Sequence, residues 1–320
     1  MFEQIALAGR VTHHIGDIRD AARLREIVAA TRPDFVFHLA AQPLVRESYK
    51  QPVETYNTNL IGTIHLLEAL RALDKPCAAV FVTTDKCYEN REWVYGYREI
   101  DPLGGADPYS SSKAACEIAI AAWRKSFFSD HVVSIASARA GNVIGGGDWA
   151  DDRIVPDCVR ALAEGAAIPV RNKAATRPWQ HVLEPLSGYL HLAASIHASS
   201  EAADASALRN LCGAFNFGPL TSSNRSVEEL VTKILEQWPG QWEDRHNPAA
   251  SPEARLLSLA TEKAFALLKW EPVWNFDQCV HKTVSWYRSA ADANDLLQAT
   301  RSDIADYVGA AKTARVAWAQ

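Results

Sequence analysis

Phe81-Val82-Thr83-Thr84-Asp85-Lys86-Cys87-Tyr88, answered further on by Pro108-Tyr109-Ser110-Ser111-Ser112-Lys113, decides how this chain reads. The apolar run Phe81-Val82-Thr83 has the β-branched character of a buried parallel strand. Polar residues directly after such a strand lie at its carboxyl edge, where open α/β sheets place their ligands. Tyr109 and Lys113 stand four apart after a proline suited to the first turn of a helix, so they share one face, the ammonium one turn from the phenol. A free phenol, with a pKa near ~10, is a poor base at neutral pH. A neighbouring cation favours the phenolate, and Ser or Thr hydroxyls around it fix the direction of its hydrogen bond. The spacing alone recurs by chance; the strand ending in Thr-Asp-Lys gives it weight.

On these residues the chain resembles the extended short-chain dehydrogenase/reductase family of nucleotide-sugar enzymes. Three longer runs narrow the resemblance to its CDP-glucose 4,6-dehydratase branch: Thr84-Asp85-Lys86-Cys87-Tyr88-Glu89-Asn90, Gly141-Asn142-Val143-Ile144-Gly145-Gly146-Gly147-Asp148-Trp149 and Arg177-Pro178-Trp179-Gln180-His181-Val182-Leu183-Glu184-Pro185. The similarity runs from about Gly16 to Lys269. It implies an α/β fold, a Rossmann-type doubly wound parallel sheet with a smaller α/β substrate-binding lobe. It also implies NAD as cofactor and CDP-glucose as substrate. On this reading residues 1–151 form the NAD-binding domain and 152–320 mainly the sugar-nucleotide lobe, with interleaved segments.

Composition agrees with a soluble globular chain: 320 residues, 48% apolar and 22% charged. The formal net charge of −5 argues against a general nucleic-acid or anionic-membrane binder, so an anionic sugar nucleotide needs a local arginine cluster. The six cysteines are scattered without metal-ligand spacing, and no metal site is expected. Reduced thiols, no apolar run near the roughly 18 residues of a membrane span, and no basic-then-apolar start suggest the cytoplasm.

Enzymes of the resembled family open on a strand, a G-x-x-G-x-x-G-type turn and a helix whose amino end binds the pyrophosphate. No such turn stands near the beginning here. Met1–Arg10 reads as the helical segment before the family's third strand, Val11–Gly16 as that strand, and Asp20–Thr31 as a helix. A first β-α-β unit of at least ~30 residues is then expected to be missing. A misplaced start codon or a fragment explains this, or else a protein that lost its pyrophosphate site; the chain as written is expected to hold NAD weakly. Phe35–Leu39 reads as a strand ending in Ala40-Ala41-Gln42-Pro43. The resemblance sets Asp17 and Ile18 at the adenine and Leu39, Ala40 and Ala41 along ribose and diphosphate, with Tyr109 and Lys113 completing the cofactor site. Without it, Asp17 is a helix-start residue and Ala40-Ala41 tight packing. Glu54–Ala72 and Ser111–Lys125 are amphipathic helices, which the resemblance pairs with their copies in a homodimer.

In the second half, Val132–Ala138 reads as a strand ending at Arg139. Gly145-Gly146-Gly147 lacks the Lys-Ser/Thr of a P-loop and reads as a substrate-side loop needing close backbone approach. Arg139 and Asn142 are placed toward the substrate. Arg153 is either a diphosphate partner or a surface ion pair. Arg177, Trp179 and His181 alternate in one extended piece and are expected to face one side, with Arg177 and Trp179 holding the nucleotide and His181 structural. Glu253 sits where the resembled enzymes read the base, although Arg255 departs from the pattern. Ser199–Ser206 reads as a polar loop, and the tail after Ala290 as helical and peripheral.

Three functions compete. A 4,6-dehydratase, as the resemblance implies, oxidises C4 with NAD, loses water across C5–C6 and returns the hydride to C6. The elimination needs an acid and a base, which Asp85 and Lys86 offer beside Tyr109, with Thr84 completing the catalytic set. In the dTDP-linked branch a Glu stands where Lys86 stands here. An epimerase uses Thr84, Tyr109 and Lys113 but has no need of Asp85-Lys86. A silent fragment keeps the lobe and cannot hold NAD.

Overall fold

The structure, a computed structural model, describes residues 2–245, 256–291 and 295–320. The first half is built from Ala21–Thr31 (α1), Phe35–His38 (β1), Val45–Lys50 (α2), Pro52–Tyr56 (α3), Gly62–Leu70 (α4), Cys77–Val82 (β2), Pro108–Ser126 (α5) and Val133–Ala140 (β3). Local chemistry sets the helix starts. Asp20 accepts from the Ala22 and Arg23 amides at α1, and Asp107 accepts from the Ser110 amide at α5, where Pro108 occupies the first turn. The second half contributes Val143–Ile144 (β4), Ile154–Ala163 (α6), Ile168–Val170 (β5), Thr176–Pro178 (β6), Gln180–His181 (β7), Leu183–Glu201 (α7), Ala205–Leu211 (α8), Ala214–Phe217 (β8), Asn224–Ser226 (β9), Val227–Leu235 (α9) and Trp242–Asp244 (β10). Helices Glu262–Leu268 (α10), Phe276–Ala291 (α11) and Leu296–Ala314 (α12) follow.

The main sheet runs β1-β2-β3-β8, all parallel, with Phe81 opposite His38 and Ser137. Strands β2, β3 and β8 are buried on both faces while the edge strand β1 leaves Phe35 exposed, and the period-2 alternation decides which residue goes where. Ala79, Phe81, Val133 and Ile135 pack with Leu66, Leu67, Leu70 and Ile120 of α4 and α5. Ala78, Val80, Ala136 and Ala138 face the other way, onto Leu192 and Ile196 of α7 and onto Trp270. A third core joins α6, β5, α9 and α11 around Val159, Ile168, Leu230 and Val280. Strand β8 and helix α7, though late in the chain, therefore belong to the main sheet.

Three expectations need correction. Val11–Gly16 pairs with no strand among the described residues, and its Val11 and Ile15 are exposed, so it buries no face that would hold it in a ladder. Ser199–Ser206 is not a loop: α7 runs to Glu201, and Asp204 starts α8 by accepting from the Ser206 and Ala207 amides. The tail is not peripheral, because the Tyr307 hydroxyl of α12 donates to Glu184 Oε2 at 2.7 Å and Tyr307 is buried. The helix expected over Glu54–Ala72 forms as α3 and α4 joined by a π turn, Asn57–Ile61.

Candidate active site

Strand β2 delivers its carboxyl end into a short 3₁₀ turn, Asp85–Cys87, whose start is capped by Thr84 Oγ1 accepting from the Lys86 amide at 3.3 Å. The turn carries Asp85 inward. Its carboxyl is fully buried; Oδ1 accepts from the Thr84 hydroxyl at 3.0 Å, and Oδ2 has no hydrogen-bond partner among the described residues. This position exists only because residue 141 is glycine: a Cβ there would fall on the Asp85 carboxyl. Gln180 braces Gly141 from behind, its Nε2 donating to the Gly141 and Phe217 carbonyls at 3.0 and 3.1 Å. Burial raises the Asp85 pKa, with the Lys86 charge, the Thr84 bond and Arg177 pulling the other way. Lys86 is half-buried beside it.

Helix α5 sets Tyr109 against the same turn. Burial pushes the phenol up, the hydrogen bond with Thr84 brings it down, and Asp85 and Arg153 act in opposite senses. The Tyr109 amide donates to Ser48 Oγ at 3.1 Å. Lys113 follows one turn later, buried, and its Nζ donates to the Val82 carbonyl at 3.2 Å. The β2 carbonyl thus holds the Lys113 ammonium one turn from Tyr109, and Arg153 also lowers the phenol's pKa. Burial also lowers the Lys113 pKa, opposed by Glu117 among others.

At the cofactor side, Leu39 and Ala40 are exposed and Ala41 half-buried at the carboxyl edge of β1. Asn59, in the π turn, holds this loop to α5: its Oδ1 accepts from the Gln42 amide at 2.8 Å and its Nδ2 donates to Ser112 Oγ at 2.9 Å. Asp17 is exposed and gripped by Arg19, which also pairs with Glu54; Ile18 packs where a Cβ on Gly62 would stand.

The substrate-side set divides. Arg153 precedes α6, half-buried, pairs with Asp148 at 2.7 Å and its charge reaches Tyr109. Arg177 is buried, donates to the Thr176 carbonyl at 2.9 Å, and its charge is felt at Asp85. Asn142 is half-buried in the left-handed region at φ 39°, its carbonyl accepting from the Gln180 amide. Arg139 is corrected: it is 3% exposed and its guanidinium is turned into the protein, bound to Glu117 at 2.7 Å. Trp179 is corrected too. It fills the third core and its indole N–H donates to the Arg225 carbonyl at 3.0 Å. Residues 177–181 do not present one face, because β6 pairs with β9 while β7 pairs with β4. The close approach at Gly146 is made by Trp286 of the chain itself, and at Gly145 by Val182. Glu253 and Arg255 lie outside the described residues. Sequence reading missed Glu117, Asn59, Ser48 and Gly141. Only Glu117 carried a signal, as the third member of the stripe 109, 113, 117.

A Thr-Tyr-Lys set at the carboxyl edge of a parallel sheet defines a short-chain dehydrogenase/reductase of the extended type. Residues 2–283 match the family model described as GDP-mannose 4,6 dehydratase, and the chain belongs to that family. It is 44% identical over 319 residues to the CDP-glucose 4,6-dehydratase of Salmonella typhimurium, covering 97% of this chain and 86% of that protein. Identity to dTDP-glucose 4,6-dehydratase 1 of Escherichia coli is 26%, covering 85% of this chain and 77% of that one. Among solved structures, the UDP-glucose 4-epimerase of Thermotoga maritima superposes with a TM-score of 0.73 at 21% identity, covering 87% of this chain and 84% of that one. The dTDP-glucose 4,6-dehydratase of Streptomyces venezuelae, solved with NAD, gives 0.72 at 22%, covering 88% and 81%. These likenesses establish the Rossmann-like fold.

Proposed function

We propose that the protein is a CDP-glucose 4,6-dehydratase, converting CDP-glucose to CDP-4-keto-6-deoxyglucose and water with NAD as resident cofactor. The observation that carries this reading is Asp85: a buried carboxyl, its pKa raised, set against the Thr84–Tyr109 pair. An epimerase has no use for such an acid; an elimination does. The 44% identical relative of that name supports the same assignment.

Leu39, Ala40 and Ala41 at the carboxyl edge of β1, with Asp17, Ile18, Tyr109 and Lys113, would hold the ribose, adenine and nicotinamide parts of NAD, while no glycine-rich strand-turn-helix for its pyrophosphate stands among the described residues. NAD, when bound, would supply the hydride acceptor for C4 and the hydride donor for C6. Tyr109, as the phenolate, takes the C4 hydroxyl proton; burial raises its pKa, and Thr84 and Arg153 act against that rise. Oxidation at C4 acidifies the C5 proton, and its removal needs a base, a role Lys86 fills only as the uncharged amine. Asp85 donates its proton to the departing C6 oxygen, and burial favours the protonated carboxyl. Arg153 and Arg177, whose charges act on Tyr109 and Asp85, are the arginines assigned to the diphosphate. The second reading, a nucleotide-sugar epimerase, is retained because the fold is shared with a UDP-glucose 4-epimerase.

We further assign the helices near 54–72 and 111–125 to a homodimer interface, since Val53 in α3, Ile61 in the π turn and Ile118 in α5 are apolar and exposed. Six free cysteines suit a reducing, cytoplasmic setting. No helix among the described residues is long and apolar enough to cross a membrane.

The test is incubation with NAD and CDP-glucose in deuterated water. A 4-keto-6-deoxy product labelled at C5 is expected. A C4 epimer with no loss of water would establish the second reading instead.

A further inference from the structure

We propose that the buried Glu117–Arg139 pair is a positioning device that clamps both ends of the turn carrying Asp85. Arg139 Nη2 donates to Glu117 Oε2 at 2.7 Å, and both residues are 3% exposed. From this pair two arms reach out. Glu117 Oε1 accepts from the Thr83 hydroxyl at 2.5 Å, just before the turn, while Oε2 also accepts from Ser137 at 2.8 Å. Arg139 Nη1 donates to the Tyr88 hydroxyl at 2.7 Å, just after the turn, with its guanidinium 4.9 Å from that ring's centroid. Tyr88 in turn donates to Asn216 Oδ1 at 2.8 Å, and Asn216 Nδ2 is anchored on the Tyr97 and Ala260 carbonyls.

Two considerations favour positioning over mere cohesion. Replacing a buried ion pair by apolar groups of like volume often leaves stability unchanged or improved, so cohesion alone does not call for one. The turn is also weakly closed by its own backbone: the Cys87 and Tyr88 amides reach the Thr84 and Asp85 carbonyls at 3.3 and 3.4 Å. With so little internal closure, the direction of Asp85 is set from outside. The clamp grips residues 83 and 88 and leaves 84–86 to face the site. The same pair lies one turn from Lys113, since Glu117 follows it by four residues on α5.

The inference rests on the dehydratase reading for the role of Asp85, and the test separates the two. Thr83→Val and Tyr88→Phe each cut one arm without touching the ion pair; Glu117→Gln, which risks misfolding, is kept as a third variant. On the full chain, amide hydrogen exchange of the peptide across 83–90 is expected to quicken roughly tenfold in either mild variant, with α1 and β1 unchanged. With NAD and CDP-glucose, kcat falls about tenfold at constant KM, and the reduced cofactor accumulates because the elimination has slowed. Unchanged exchange overturns the clamp. Faster exchange with unaltered kcat and no accumulation overturns its role in positioning. If the parent itself leaves CDP-glucose untouched, the dehydratase reading falls and the exchange result alone decides the clamp.

Discussion

Asp85→Asn isolates the property on which the proposed chemistry depends. The amide has the shape of the carboxyl and can still accept from the Thr84 hydroxyl, which lies 3.0 Å from Oδ1, but it has no acidic proton to give. General acid catalysis contributes ~10²–10⁴ in rate, or about 3–5 kcal/mol of barrier, so turnover should fall by that factor at unchanged KM. Cofactor reduction and C5 exchange with solvent should persist, because Tyr109 and Lys86 are untouched. A second, independent signature follows from burial. Asp85 holds its proton more tightly folded than unfolded, since burial raises its pKa. As pH rises from the unfolded value near ~3.9 through the raised folded one, the native state retains the extra proton. Unfolding free energy therefore drops over that window, and the deficit persists above it. Asparagine carries no such deficit. The Tm of the variant relative to the parent should climb across the window and then level off. Stopped-flow absorbance, mass-spectrometric C5 labelling and a pH series of thermal melts measure all of this. Turnover within about threefold of the parent, or a Tm difference indifferent to pH, refutes the neutral-acid assignment.

The remaining predictions use the same assays. Lys86→Ala should lose ~10²–10⁴ in turnover together with C5 exchange, while the cofactor is still reduced; normal turnover would move the reading to an epimerase. Tyr109→Phe should abolish both cofactor reduction and elimination, so any accumulation of reduced cofactor counts against it as the C4 base. Gly141→Ala sets a methyl onto the Asp85 carboxyl and should reduce elimination on the order of 10²-fold with the circular dichroism unchanged. Gly146→Ala instead drives a methyl into the Trp286 ring, so it should cost about 1–3 kcal/mol of stability and leave the partition between oxidation and elimination intact.

The centre of the fold was legible because its signals are local. An apolar β-branched run, polar residues at its end and a proline-started helix describe β2 and α5 without any tertiary knowledge, and the alternation along β2 sorts Ala79 and Phe81 from Ala78 and Val80. What failed depended on distant partners. Val11–Gly16 has strand-like residues but no ladder among the described residues. Residues 177–181 alternate on paper, yet β6 and β7 are claimed by β9 and β4, which breaks the shared face. Arg139 looked like a substrate arginine because a cation near the carboxyl edge of a strand is usually aimed at a ligand. Its side of β3 is the side of Ser137, which faces Glu117, and only the spacing 109, 113, 117 on α5 hinted at that acid. Four of the buried ionisable groups around the site then sort by partner. Glu117 and Arg139 satisfy one another, so burial does not neutralise either: the arginine's charge holds the carboxyl below the ordinary range in spite of its desolvation. Asp85 and Lys113 have no such partner within ion-pair distance among the described residues, and burial shifts each toward its neutral form. A proton that moves during turnover has to sit on a group that is not locked into a pair. On this chain Asp85 meets that condition at the site, and Arg139, held by Glu117, does not.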